Sequence, residues 1–274
     1  MKLSYHYIIL LWLFVLFSSC EKKIELHPEN SEEKIFVESI FSDLTPLSYV
    51  RLSKTKGIYE SITGHPIVKD ATVQIEDLTD GTVIDFTYVA GEGQYQTTVA
   101  GIPGHQYRLK IEAEGQQITA RQTMTSIVNF NGVSSVPVAN TTDKYYMKMK
   151  FDDPPETEDY YLFIMMPQNQ NDPDLEPRFT VRSDLLYNRA EGSLSIEDEI
   201  FNKDEDWLVL FYHVDTENYN YLHTILRAMK SLVNGAHPFY GIALGNPQDN
   251  VEGEKAFGFF IASPVRWTPI HIGN

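Results

Sequence analysis

Short runs of alternating apolar and polar residues dominate the first half of the chain, and this period of two residues is typical of β-strands. The stretch 72–78 places Val73 and Ile75 on one face and polar residues on the other. Asp80-Gly81 follows and is a favoured dipeptide for a tight hairpin. Further runs of this kind occur at 35–41, 49–53, 107–111 and 117–120. The pattern predicts an N-terminal Ig-like antiparallel β-sandwich over residues 34–126.

The second half of the chain mixes strands with one clear helix. Strand-like runs occur at 145–151, 160–166 and 207–214. Asp215 or Thr216 can cap a helix whose apolar residues recur at helical spacing, and Gly235 can end it. We expect an α+β, mostly β, second domain over residues 144–274. The polar, turn-rich stretch 127–143 is predicted to be the linker between the two domains.

The single cysteine of the chain, Cys20, follows Lys2 and an apolar run at 7–17, with Ser18 and Ser19 directly before it. This run is too short for a membrane-spanning helix, which needs about 20 apolar residues. An ordinary secretory signal peptide is the alternative, but a lone free thiol is a liability in an oxidising compartment. The sequence therefore predicts a lipoprotein signal peptide at 1–19, acylation of Cys20 and a lipidated polar tether at 20–33.

The chain is acidic, with a formal net charge of −16 over 274 residues. Nucleic-acid binding relies on a basic surface, so no nucleic-acid partner is expected. A polybasic patch for anionic lipid heads is not expected either. We therefore predict that the protein is attached to the membrane through acylated Cys20. With one cysteine, no disulfide within the chain can stabilise the fold.

Sequence motifs for catalysis are not evident. The segment from Gly241 to Gly245 has the spacing of a nucleophile elbow but carries Ala243 at the nucleophile position. We predict no catalytic residue, no cofactor and no metal site, and a structural role for each histidine. Acidic clusters at 172–176 and 197–206 leave calcium binding as an alternative to solvated surface charge. The small-molecule ligand, if one exists, is unknown.

Adjacent aromatic residues form a second set of candidates, for a contact surface. In a strand of period two, one member of such a pair usually faces the core, and an exposed member can contact a partner. These pairs are Tyr145-Tyr146, Tyr160-Tyr161, Phe239-Tyr240 and Phe259-Phe260.

Several ordered motifs resemble a known family. Cys20 and the opening strand are followed by Gly93-x-Tyr95, by Ile102-Pro103-Gly104-x-x-Tyr107 and later by Phe257-Gly258-Phe259-Phe260. Together they resemble the Bacteroidota outer-membrane lipoproteins of the domain of unknown function 4249 family, often encoded beside TonB-dependent receptors. The resemblance implies an envelope location and a role accessory to uptake, and the family supplies no active-site residue.

The function expected from the sequence is therefore that of a non-catalytic, lipid-anchored envelope protein. It would assist a TonB-dependent outer-membrane transporter, by substrate capture or as a receptor partner. Two alternatives remain open. One is an envelope hydrolase with a site assembled from scattered carboxylates and histidines, and the other is a structural or assembly lipoprotein.

Overall fold

The computed structural model describes residues 33–55, 66–169, 172, 175–185, 192–233 and 256–273. The described elements are strands, one α-helix and a short 3-10 helix at Thr45–Leu47. In chain order they are β1 (Ile35–Phe41), β2 (Tyr49–Lys54), β3 (Thr72–Asp77), β4 (Val83–Val89), β5 (Gln94–Gln96), β6 (Gln106–Ala113), β7 (Gln116–Thr123), β8 (Phe130–Pro137), β9 (Lys144–Phe151), β10 (Tyr160–Pro167), β11 (Arg178–Ser183), β12 (Gly192–Asn202), β13 (Asp206–Val214), α1 (Thr216–Val233), β14 (Ala256–Ala262) and β15 (Val265–His271).

Eight strands form the first sandwich, in the order β14-β1-β2-β5-β4-β3-β6-β7. The sheet folds over itself, because Phe41 on β1 and Tyr107 on β6 are far apart in this order but their ring centroids lie 4.9 Å apart. The enclosed core is mainly aliphatic and includes Val37, Ile75 and Leu109. This arrangement confirms the predicted Ig-like β-sandwich, in which inward-facing residues alternate with exposed ones.

The predicted hairpin at Asp80-Gly81 is confirmed. Strands β3 and β4 pair in antiparallel register, and the N–H of Gly81 donates to the carbonyl of Asp77 at 2.8 Å. Gly81 has a φ of +85°, a conformation that glycine adopts without the steric penalty of a side chain.

A second sandwich packs the four-stranded sheet β11-β10-β13-β15 against the three-stranded sheet β12-β9-β8. Its core is rich in aromatic side chains. The Phe151 and Tyr161 ring centroids lie 4.6 Å apart across the two sheets, and Phe130 stacks on Phe211 at 5.0 Å. Helix α1 covers part of the outer face of the four-stranded sheet, where Tyr219 contacts Tyr160.

The helix begins as the sequence predicts. Asp215 accepts a hydrogen bond from the N–H of Asn218 at 2.8 Å through its Oδ1 atom, which satisfies one of the free donors of the first helical turn. Glu217 lies in that turn, where a negative charge is favourable. The predicted terminator, Gly235, lies outside the described residues.

The predicted linker differs from the structure. Phe130–Pro137 within 127–143 is strand β8, paired with β9. Most β8 side chains are only half buried, and the register shifts between Phe130 and Gly132. A strand with no fully buried face does not require alternating apolar and polar residues, and the sequence of β8 therefore resembles that of a loop.

The predicted second domain, 144–274, also differs from the structure at its C-terminal end. Strand β14 pairs in parallel with β1 of the first sandwich, whereas β15 pairs with β13 of the second. Gly258 enables the first pairing, because its φ is +144° and a Cβ atom there would lie 1.8 Å from the carbonyl oxygen of Val37. The two sandwiches are thus joined by the C-terminal segment as well as by the chain at 124–129.

Candidate functional site

Three buried aspartates come together at one end of the second sandwich. Asp153 follows β9, Asp159 precedes β10 and Asp184 follows β11. A carboxylate oxygen from each lies within 4.8 Å of one from each of the others. Their exposed fractions are 4%, 7% and 5%. We call Asp153, Asp159 and Asp184 the carboxylate cluster.

The register between β10 and β11 brings Asp159 and Asp184 together. Tyr160 pairs with Ser183, so the residues just outside β10 and β11 lie side by side. The N–H of Asp159 donates to Asp184 Oδ1 at 2.9 Å, and the N–H of Asp184 donates to the carbonyl of Asp159 at 3.1 Å. Two aspartates are therefore held in contact by the backbone of a sheet edge.

Side chains from the sandwich donate hydrogen bonds to the cluster. The Tyr161 hydroxyl donates to Asp153 Oδ1 at 2.5 Å, and the Thr157 hydroxyl donates to Asp159 Oδ2 at 2.6 Å. Asp184 Oδ2 is buried and has no hydrogen-bond partner among the described residues. An unpaired buried carboxylate oxygen is unfavourable.

His213 on β13 supplies the ion-pair partner that the described residues give this cluster. Its Nε2 atom lies 2.7 Å from Asp159 Oδ1, and its Nδ1 lies 3.0 Å from the carbonyl oxygen of Ser126. A carbonyl oxygen only accepts, so Nδ1 must carry a hydrogen. A further proton must then lie between Nε2 and Asp159, on one atom or the other.

The electrostatics of the cluster follow from its burial. Burial raises the pKa of the Asp184 carboxyl, and the charges of Asp153 and Asp159 raise it further, against the opposing effect of the Asp159 N–H. Burial and the hydrogen bond to Asp153 raise the pKa of the Tyr161 hydroxyl well above its ordinary value. Negative charge is therefore unfavourable here without a counterion.

A second group of titratable residues lies in the first sandwich. Asp77, Asp80 and His105 offer side-chain ligand atoms within 4.8 Å of one another. Asp77 Oδ2 lies 2.7 Å from His105 Nδ1, and Asp77 Oδ1 accepts the N–H of Thr79 at 2.8 Å. Both oxygens of the buried Asp77 are therefore paired, and the group stabilises the β3–β4 turn.

An apolar surface lies on the outer face of the four-stranded sheet, beyond the part that α1 covers. Trp267 pairs with Leu210, and Leu208 lies between Met166 and Pro269 in the next row. Trp267 is 55% exposed and Met166 is 36% exposed. We call Met166, Leu208, Trp267 and Pro269 the apolar face.

A polar cleft of about 480 Å³ lies between the first sandwich and the start of α1. Its lining includes Gln106, Arg121 and Gln122 from β6 and β7, and Asp215 and Glu217 beside the helix start. Clefts between packed units are common places for small-molecule binding. This cleft is therefore a candidate small-molecule site.

The sequence-predicted candidates lie in different places. Cys20 lies outside the described residues, and its lipidation stays a prediction. Within the predicted acidic cluster at 197–206, Asp198 pairs with Arg182, and Glu199 with Arg178 at 3.8 Å. The carboxylate cluster was not predicted, although two of its members flank the acidic turn at 153–159 and so give a partial signal.

The aromatic pairs follow the expected alternation in two cases. Tyr161 and Phe260 are buried. Tyr160 and Phe259 are half buried and pack against the apolar cluster that includes Tyr221 and Leu222 of α1. Phe239 and Tyr240 lie outside the described residues. The exposed aromatic residue of the apolar face, Trp267, does not belong to any of the predicted pairs.

The family model described as "Domain of unknown function (DUF4249)" matches residues 21–267, so the chain belongs to this family. No curated protein is significantly similar to it. Among solved structures, a two-domain fibronectin type III segment of chicken tenascin matches with 11% identity and a TM-score of 0.23. That match covers 66% of this chain and 91% of the tenascin segment.

Within the described ranges, α1 included, no helix combines the length and the apolar character needed to cross a bilayer.

Proposed function

We propose that the protein is a non-catalytic, lipid-anchored envelope protein that binds a TonB-dependent outer-membrane transporter. The observation that carries this proposal is the apolar face. An exposed tryptophan beside exposed Met166 and Pro269 is the kind of surface that forms the centre of a protein–protein contact. Acylation of Cys20 would keep this face close to a membrane-embedded partner.

The apolar face suits a protein partner better than a small ligand. It lies on a regular sheet, where Trp267 and Leu210 are held in register by backbone hydrogen bonds. Such a scaffold presents side chains with little loss of conformational freedom on binding. The acidic remainder of the chain, at −16 overall, would form a polar surround to the contact.

The hydrolase alternative receives no support from the carboxylate cluster. Glycosidases present two carboxyl groups to a sugar in an open cleft. Here each aspartate of the cluster is less than a tenth exposed, so the carboxylates are not accessible to a soluble substrate. The raised pKa of Asp184 follows from this burial first and from the neighbouring charges second.

The proposal is tested by copurification of the native full-length protein from detergent-solubilised outer membranes. We expect a TonB-dependent transporter to copurify with the wild type. Trp267→Ser should weaken this association about ten-fold or more, since tryptophan is a frequent binding hot spot. Val83→Ser is the matched control, because Val83 is 52% exposed on the first sandwich.

Two outcomes would contradict the proposal. The first is a wild type that copurifies with no transporter. The second is an association that Trp267→Ser and Val83→Ser weaken equally, which would remove the apolar face from the contact. Cys20→Ala tests the anchor separately, because it should release the protein from the membrane fraction while leaving its fold unchanged.

A further inference from the structure

We propose that the carboxylate cluster of Asp153, Asp159 and Asp184 binds a calcium ion. The starting point is a shortage of positive charge. Three carboxylates are gathered within 4.8 Å, and the ion pair that the described residues give them is the one from His213 to Asp159. Gathering like charges away from water is unfavourable unless a counterion neutralises them.

Asp184 points to the missing partner. Its Oδ1 atom accepts the N–H of Asp159, whereas its Oδ2 atom is buried with no donor among the described residues. The residue is 5% exposed, so bulk water does not satisfy this oxygen. A bound cation beside the other two carboxylates would supply the interaction that the protein does not.

The donor atoms and their spacing fit calcium. The cluster offers carboxylate oxygens, the hard ligands that calcium prefers, and calcium–oxygen distances are about 2.4 Å. One oxygen from each aspartate lies within 4.8 Å of one from each of the others, so a single ion of this size can contact all three carboxylates. Magnesium needs shorter contacts in near-ideal octahedral geometry and usually retains several waters, which suits a buried cluster less well.

The surrounding hydrogen bonds fit the same role. Tyr161 holds one oxygen of Asp153, while Thr157 and His213 hold the two oxygens of Asp159. Carboxylates that bind metals are commonly oriented by such outer hydrogen bonds. The aspartates come from three different chain segments, so a bound ion would join β9, β10 and β11 at this end of the sandwich.

The test uses the full-length protein in detergent, first freed of metal with a chelator and then titrated with calcium chloride. Calorimetric titration should give one calcium site per chain. A ligand that binds only the folded state raises the melting temperature. At calcium a hundred-fold above Kd, we expect a rise of about 5–10 °C.

Asp184→Asn should abolish this rise, because the amide removes the charge while keeping the shape of the side chain. Asp152→Asn is the matched control. Asp152 is the exposed neighbour of the cluster, bound by the amides of Asn129 and Asn131, and its replacement should leave the calcium response unchanged. If Asp184→Asn does not fold, Asp153→Asn serves in its place.

Three results would overturn the proposal. One is a metal-free wild type whose melting temperature does not change when calcium is added to about ten times the millimolar Kd values of extracellular sites. Another is an equal rise in Asp184→Asn and the wild type, which would show that calcium binds elsewhere. The third is saturation of the site by magnesium alone with no response to calcium, which would exclude the calcium assignment.

Discussion

Both sandwiches contain an aspartate–histidine pair with a 2.7 Å contact, but the two pairs differ in the exposure of the histidine and in the other partners of the aspartate. In the first sandwich, the His105 and Asp77 side chains are 24% and 4% exposed, and Asp77 also accepts a backbone N–H. In the second, the His213 and Asp159 side chains are 10% and 9% exposed, and two further aspartates contact Asp159 or lie close to it. The carboxylate of Asp77 thus has a partner for each oxygen, whereas the carboxylates around Asp159 outnumber the cationic partners that the described residues give them.

The difference shows that one contact distance does not define one role. Asp77 is a turn residue whose charge is satisfied on both oxygens, so it stabilises local structure. Asp159 belongs to a group in which charge exceeds the available partners, so its stability depends on a proton or a cation. Buried ion pairs contribute little net stability as a rule, but breaking one leaves an uncompensated charge.

The largest expected effect separates the two histidines. His213→Ala should lower the free energy of unfolding by about 3–5 kcal/mol, because it leaves Asp159 buried without its partner. His105→Ala should lower it by about 1 kcal/mol, since Asp77 keeps the Thr79 N–H and water can take the place of the partly exposed His105 side chain. Urea unfolding followed by tryptophan fluorescence measures both. Equal losses of stability in the two variants would contradict the proposed difference between the two aspartate–histidine pairs.

Sequence was sufficient where the determinants are local. The Asp80-Gly81 hairpin needs one dipeptide between two alternating runs, and the start of α1 needs Asp215 three residues before Asn218. Each signal lies within a few residues, so it is visible without the tertiary fold. The mainly β composition and the Ig-like sandwich follow from many such local patterns.

Sequence was insufficient where the determinants are distant along the chain. The parallel pairing of β14 with β1 joins residues more than two hundred positions apart, and Gly258 alone does not reveal its partner. The carboxylate cluster needs the register between β10 and β11 to bring Asp159 beside Asp184. Acidic residues are numerous in this chain, so their types alone could not identify these three.

A smaller effect compares two buried tyrosines. Tyr161→Phe should lower stability by about 2 kcal/mol, because its hydroxyl donates to the Asp153 carboxylate and hydrogen bonds to charged groups are the stronger ones. Tyr95→Phe should lower it by about 1 kcal/mol, since its hydroxyl donates to the carbonyl of Val68 and accepts from the N–H of Ala71, which are uncharged backbone groups. The measurement is again urea unfolding. A larger loss for Tyr95→Phe would contradict the greater strength expected of the hydrogen bond from Tyr161 to Asp153.

The smallest expected effect is a difference in pH dependence between Asp77 and Asp184. Burial raises the pKa of Asp77, but the hydrogen bonds from His105 and Thr79 together outweigh it, and the net pKa is lowered. Its stabilising contribution is therefore present above the ordinary carboxyl pKa of about 4 and is lost as the pH falls through the lower folded-state value.

Asp184 should behave in the opposite way in calcium-free buffer. Because burial and neighbouring charges raise its pKa, its contribution is present below about pH 4 and is lost as the pH rises through the folded-state value. As the pH rises from 3 to 7, the free energy of unfolding of Asp77→Asn should therefore fall relative to that of the wild type, whereas that of Asp184→Asn should rise relative to it. Urea unfolding of both variants at successive pH values measures the two slopes. Slopes of the same sign would show that the two aspartates have similar surroundings. That result would contradict the difference proposed between the two sandwiches.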